Sequence, residues 1–308
     1  MKYQTLLGAV LILALPSFSS ADAVVLKNGT LIDAETVTKN EDGSALLDFG
    51  FQKVTIPAEQ VSRVIKIEDR LYSFGSDKEF EEVKAASSEV AEACVLVRQP
   101  GGLGSGFVIH PDGYLITNAH VIDGSTRIEI TVFKKGDEGL EREVFKKVKI
   151  LSVSRREDLA LLKIEPKDEE RKFVYVPVGE SRGLEAGDAV FAVGNPYGLE
   201  RTVSEGVISV ASRADESGLS LQHTAPINSG NSGGPLFNMR GEVVGVNARK
   251  AGGGDGVGFA ISGSVLRMFL DHRDAYAFDP STQNGGYIYP APPGAPDPDD
   301  ESEATSSR

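Results

Sequence analysis

An all-β fold follows from three features of the sequence. Short apolar segments rich in Val, Ile, Leu and Phe recur along most of the chain. Gly, Pro, Asn and Asp fall between them at turn spacing. Helical patterning is confined to a stretch near 77–91 and another around Val265, Leu266, Met268, Phe269 and Leu270. The 308 residues, 40% hydrophobic and 25% charged, suit a globular protein with one large domain and a smaller companion.

Residues 1–21 read as an export signal. Lys2 supplies the positive start, Leu6 to Leu15 form an apolar run too short to span a bilayer as a helix, and Pro16 breaks it. Small residues offer cleavage at Ser19-Ser20-Ala21 or at Ala21-Asp22-Ala23. Residues 22–70 then carry five strand-like segments, 24–26, 30–37, 44–49, 53–56 and 61–67. Asn28-Gly29, Asn40-Glu41-Asp42-Gly43, Gly50 and Pro57-Ala58-Glu59 punctuate them. Strand count and turn placement resemble an SH3-like or Sm-like barrel, which would bind a peptide or partner or act as a spacer. Residues 71–91 are expected to form a helical linker, and 92–273 the main domain of two β-barrels closed by the C-terminal helix. From 274 to 308 the chain is rich in Pro, Gly, Ser and acids, the composition of a disordered tail, with Tyr287 and Tyr289 as its partner-binding option.

The formal charge of −13 argues against nucleic acid or an anionic membrane as partner. No second membrane segment follows the signal. Cys94 is the single cysteine, so no intramolecular disulfide forms, and its setting in Ala93-Cys94-Val95-Leu96-Val97 reads as a small buried strand residue. No His-x-x-x-His pair or similar ligand spacing occurs, so neither a metal nor another cofactor is expected.

The chemistry centres on Ile227-Asn228-Ser229-Gly230-Asn231-Ser232-Gly233-Gly234-Pro235-Leu236. Glycines packed this closely around a serine suit a main chain that turns sharply or approaches another group, such as a substrate carbonyl. A serine hydroxyl needs a base to remove its proton as it attacks, and the base needs a carboxylate to fix its tautomer. His120, after an apolar strand in Thr117-Asn118-Ala119-His120-Val121, and Asp158, at the mouth of Leu159-Ala160-Leu161-Leu162-Lys163-Ile164, can supply these. Each alone has an ordinary structural reading. Together they give the order His…Asp…Ser of the two-barrel, chymotrypsin-type arrangement, with the site in the cleft between barrels.

From Ser87 to about Asp271 the chain resembles the protease domain of the HtrA/DegP family. Besides the segments already quoted, Gly104-Ser105-Gly106-Phe107-Val108-Ile109, Val193-Gly194-Asn195-Pro196-Tyr197-Gly198-Leu199, Thr202-Val203-Ser204-Glu205-Gly206-Val207-Ile208-Ser209 and Gly256-Val257-Gly258-Phe259-Ala260-Ile261 carry the likeness, in order. The resemblance implies two six-stranded β-barrels of chymotrypsin type, with Ser232 as nucleophile, His120 as general base then acid, Asp158 as orienting carboxylate, and an oxyanion hole at Gly230, Asn231 and Ser232. Asn231 stands where digestive relatives carry an aspartate, so ordering of the nearby loops, rather than propeptide removal, is the expected control. Pro226 falls at the base of the pocket for the residue before the cut (P1), where trypsin-like enzymes hold an aspartate. Small or aliphatic P1 residues are therefore expected, with Val246, Asn247 and Ala248 lining the pocket or pairing with substrate backbone.

Two departures from the family pattern stand out. Only a short acidic tail follows Asp271, where PDZ domains are usual, and Thr224 replaces an acid. The functional expectation is a periplasmic or extracellular serine endopeptidase that cuts unfolded or exposed polypeptide, in protein quality control. The alternative is a chaperone or peptide-binding protein on the same scaffold with an idle triad. A homo-trimer is a family expectation only.

Overall fold

The computed structural model describes residues 22–34, 36–49, 52–66, 71–136, 139–168, 170–195, 201–215, 218–228, 230–250 and 256–279. The expected signal and most of the expected tail lie outside them.

The first six strands are β1 (Asp22–Leu26), β2 (Leu31–Ala34), β3 (Thr36–Lys39), β4 (Ala45–Asp48), β5 (Lys53–Ile56) and β6 (Val61–Ile65). They form two three-stranded sheets, β2-β1-β6 and β3-β4-β5, rather than one run of five strands. The segment expected as a single strand at 30–37 is split between β2 and β3, so it serves both sheets. Alternation in β4 turns Ala45 and Leu47 inward, where they meet Val24, Ala34, Val37 and Val61 in a small core. Asp22 is buried and accepts the Val37 N–H at 2.8 Å while pairing with Lys66 at 2.7 Å.

The linker is helical over a shorter stretch than expected, α1 (Val83–Val90), continued by one 3-10 turn at Ala91–Ala93. Before it, the chain runs across the main domain. The Ser76 N–H reaches the buried carboxylate of Glu242 at 2.7 Å, and the Phe80 N–H reaches the Met239 carbonyl.

Two β units make the main domain. The first comprises β7 (Cys94–Gln99), β8 (Gly102–His110), β9 (Tyr114–Thr117), β10 (Glu129–Gly136), β11 (Gly139–Phe145), β12 (Val148–Ser154) and β13 (Leu159–Ile164), with the one-turn helix α2 (Ala119–Ile122) after β9. These strands form one sheet in the order β11-β10-β7-β8-β9-β13-β12, a strand more than the six expected. The second unit is a closed six-stranded barrel of β14 (Ala189–Gly194), β15 (Thr202–Asp215), β16 (Gly218–His223), β19 (Gly258–Ser262), β18 (Val243–Lys250) and β17 (Pro235–Asn238). Helix α3 (Gly263–Asp271) follows, its first turn capped by Ser262, whose hydroxyl accepts the Ser264 N–H. Ordered chain continues past residue 273: Arg273–Tyr276 forms a 3-10 turn, and the Phe278 N–H bonds Leu151.

Many strands here are apolar on both faces, and period-two alternation explains why. In β7, Val95 and Val97 point into the first unit while Cys94 points between the units. Leu159 and Leu161 likewise face the shared core, with Ala160, Leu162 and Ile164 facing inward. In the second unit Phe191, Phe237, Val243 and Val246 face the shared core, and Val190, Leu236 and Val244 face the barrel interior. Val265, Leu266, Phe269 and Leu270 of α3 complete the shared core. Cys94 is buried as the sequence suggested, and burial pushes its thiol well above the ordinary range, so it stays unreactive.

Arg267 on α3 ties the N-terminal sheets to the main domain. It is only 6% exposed, pairs with Asp33 at 3.2 Å and Glu180 at 3.0 Å, and stacks over Phe74 at 4.0 Å. Replacing Arg267 with Ala should lower stability by about 1–2 kcal/mol, because it removes a buried cation that bridges Asp33 and Glu180, although Arg182 still lies 3.5 Å from Glu180. Urea unfolding reads this, and hydrogen exchange should show the added opening in β1–β2.

Candidate active site

Two hydrogen bonds join His120 to Asp158, and two more tie Asp158 to the residues just before His120. The ring Nδ1 lies 2.7 Å from Asp158 Oδ2, and the His120 N–H donates to Asp158 Oδ1 at 3.0 Å. The Asp158 carbonyl accepts from Asn118 Nδ2 at 2.8 Å and from the Ala119 N–H at 3.2 Å. Asp158 makes this grip with φ of 54°, left-handed backbone that is uncommon outside glycine but more accessible to Asp than to most residues. The hydrogen bond to Asp158 raises the His120 pKa above its ordinary 6.5, and burial offsets part of the effect.

The serine loop sits against the strand that leads to this histidine. The Ser232 carbonyl accepts the Ser105 N–H at 2.8 Å, and Gly233 and Gly234 exchange hydrogen bonds with Asn247 at 2.8 Å each. Gly233 has φ of 82°, and a Cβ there would lie 2.3 Å from Thr117 Oγ1 and 2.4 Å from the Ser105 carbonyl. The close approach that demands glycine after Ser232 is therefore to the first β unit, three residues before His120. Among the described residues the N–H groups of Gly230 and Ser232 donate to no backbone carbonyl. Asn231 is buried.

Ser232 Oγ donates to the Ala248 carbonyl at 3.1 Å and makes no hydrogen bond to His120. Ala248 is the extra residue of a bulge between β18 and β19, where Asn247 pairs with Ala260 and Arg249 with Phe259. The His120–Asp158 pair is therefore closed, while the Ser232 hydroxyl is engaged by its own β unit.

The four expected pocket residues divide. Pro226 is exposed and Ala248 half-buried, whereas the side chains of Val246 and Asn247 are 0% exposed. Val246 belongs to the shared core, and the Asn247 amide donates to the Gly234 and Pro235 carbonyls. Neither lines an open pocket: both are wholly buried, and the Asn247 N–H and carbonyl are taken by Gly234 and Gly233. Thr224 takes a local role, its hydroxyl accepting the Val207 N–H at 2.9 Å. His223 faces the barrel interior with 0% exposure, and neither ring nitrogen has a hydrogen-bond partner. Burial lowers its pKa from 6.5 to about 4; the Asn247 side chain and the Ala225 backbone lie beside the ring and offset only part of this.

Ser105, Asn118 and Asn195 brace the chain around Ser232 and Asp158, and each lies inside a quoted motif without having been given a task. The signal was there in Gly104-Ser105-Gly106, a small polar residue between glycines in an apolar strand. Among the described residues, no group of three or more His, Cys, Asp or Glu could hold a metal ion, and no helix is long and apolar enough to cross a membrane.

Residues 104–246 match the model of the trypsin-like peptidase domain. The crystal structure of Deg5 aligns with a TM-score of 0.52 and 32% identity, covering 62% of this chain and 94% of that one. The chain belongs to the HtrA/DegP-like family of trypsin-like serine proteases. Among curated relatives, a probable periplasmic serine endoprotease DegP-like of Rhizobium meliloti (strain 1021) is 41% identical over 179 residues, which is 56% of this chain and 33% of the relative. A relative of the same name from Pseudomonas savastanoi pv. phaseolicola is 40% identical over 170 residues, 53% of this chain and 33% of that protein. The chain thus spans a third of the length of these HtrA/DegP-like relatives.

The two histidines set opposite pH dependences. An unfolded chain takes a proton on His223 near pH 6.5, while the folded barrel resists until about 4. Stability supplied by the neutral ring should therefore be lost as pH falls from 6.5 to about 4. The His223→Leu chain should show a shallower acid limb in denaturant midpoints measured across that range. His120 works the other way: its pairing with Asp158 stabilises at low pH and is lost as pH rises through its raised pKa.

Proposed function

We propose that the chain is a periplasmic serine endopeptidase that cuts unfolded or exposed polypeptide through an acyl-enzyme, in protein quality control. The closed His120–Asp158 pair carries the reading, because it is the oriented base that a serine hydroxyl needs. The names of the curated relatives support the compartment and the reaction class.

Catalysis would begin when Ser232 Oγ swings from the Ala248 carbonyl to His120 Nε2. The hydroxyl proton passes to His120 as Oγ bonds the scissile carbonyl carbon, and the oxygen takes the electron pair. The N–H groups of Gly230 and Ser232 would stabilise that oxyanion. Collapse breaks the C–N bond, with His120 returning the proton to the leaving amine. Water then repeats the steps on the ester and frees Ser232. Asp158 remains ionised throughout and keeps the Nδ1–H in place. A base with a raised pKa puts the rising limb of kcat/KM above pH 6.5.

Pro226 at the pocket base favours small or aliphatic P1 residues over Lys or Arg. The Ala248 carbonyl, freed when Ser232 turns, would accept a backbone N–H of the substrate. The same resting bond, Ser232 to Ala248, is the observation that favours the second reading, an idle triad on a peptide-binding scaffold.

Digestion of an unfolded protein by wild type beside Ser232→Ala separates the two readings. Wild type should cut after Val, Ala or Leu and be labelled by a fluorophosphonate, and Ser232→Ala should do neither. Equal cutting by both chains would remove the peptidase reading. No cutting and no label in folded wild type would favour the binder. We also propose that export cleavage follows Ala21, since Asp22 and Ala23 are buried strand residues. N-terminal sequencing of the exported chain should then begin at Asp22.

A further inference from the structure

The bonds that seat the serine loop converge on Ser105, a residue 0% exposed in β8 of the first unit. Its N–H donates to the Ser232 carbonyl at 2.8 Å, and its carbonyl accepts the Thr117 hydroxyl at 2.7 Å. Its hydroxyl lies 2.7 Å from the Gly230 carbonyl and 2.9 Å from the Asn195 N–H. An N–H can only donate, so Asn195 takes a lone pair of the Ser105 oxygen. The single hydroxyl proton is then committed to Gly230. Ser105 therefore grips the carbonyls of both Gly230 and Ser232, on either side of the peptide that carries the Ser232 N–H. Three glycines make room for it: a Cβ at Gly194 would lie 3.2 Å from Ser105 Oγ, one at Gly234 3.1 Å from its Cβ, and one at Gly233 2.4 Å from its carbonyl.

We propose that Ser105 is a positioning residue for the reaction. Its hydroxyl fixes the Gly230–Asn231 peptide so that the N–H groups of Gly230 and Ser232 stay aimed at the developing oxyanion. The inference rests on the peptidase reading and extends it to the other β unit. Ser105 touches no substrate; it acts through the main chain of the serine loop. Removing the hydroxyl leaves the Ser105 N–H bond to Ser232 in place and frees the Gly230 carbonyl and the Asn195 N–H. The loss should thus fall on the transition state rather than on substrate binding.

The test compares wild type with Ser105→Ala. The variant should lose about 10- to 100-fold in kcat with little change in KM. A peptide boronate, which forms the tetrahedral adduct at Ser232, should lose affinity by a similar factor. Binding of an uncut peptide, measured in the Ser232→Ala background with and without Ser105→Ala, should be unchanged. A merely structural role would lower melting temperature and peptide binding while sparing the ratio of adduct to peptide affinity. Should the alanine chain fail to fold, Ser105→Cys, close in shape but a weak donor, should show the same selective loss. Wild-type kcat and adduct affinity in either folded variant would overturn the inference alone. Absence of adduct in wild type would instead overturn the peptidase reading on which it stands.

Discussion

A serine on one β unit and a histidine on another meet only if something holds the two backbones in register. That constraint is met by hydrogen bonds to the main chain rather than by the triad itself. Ser105 binds the Ser232 carbonyl through its N–H and the Gly230 carbonyl through its hydroxyl, and Gly233 packs without a side chain against Thr117. The shared core beneath these contacts keeps them rigid, since Phe191, Phe237, Phe107 and Leu161 from both units are fully buried together.

The arrangement separates two jobs that a catalytic site must combine. The His120–Asp158 pair belongs wholly to the first unit and is closed at rest, so the proposed base would be oriented before any substrate arrives. The hydroxyl belongs to the second unit and is occupied by the Ala248 carbonyl. Turning it to His120 breaks one hydrogen bond of ordinary strength, about 1 kcal/mol net. A substrate main chain that claims the same carbonyl would favour that turn.

Much of this could be read from the residues. Apolar segments between turn signals gave the strands, a local pattern with a strict physical reason, and the pairing expected of His120 with Asp158 is found in the structure. Other features could not be read that way. Val246 and Asn247 looked like pocket walls, yet their side chains belong to interior faces, and which face of a strand meets which core depends on the partner unit. Residues 30–37 read as one strand because propensity does not report where a chain changes sheets. The glycines after Ser232 read as room for substrate, whereas Thr117 and Ser105, far away in sequence, are what they accommodate. The extra strand of the first unit was likewise invisible, since sheet order is a property of pairing and not of any segment.

The alternating burial of β7, β13, β14 and β18 carries one more consequence. Each of these strands lends one face to its own unit and the other to the common interior, so neither half retains an intact interior once the other opens. Melting is thereby expected to be all-or-none across the main domain. Under the proposed activity on unfolded chains, this coupling would be a safeguard: a copy of the enzyme would be either wholly closed to attack or wholly denatured.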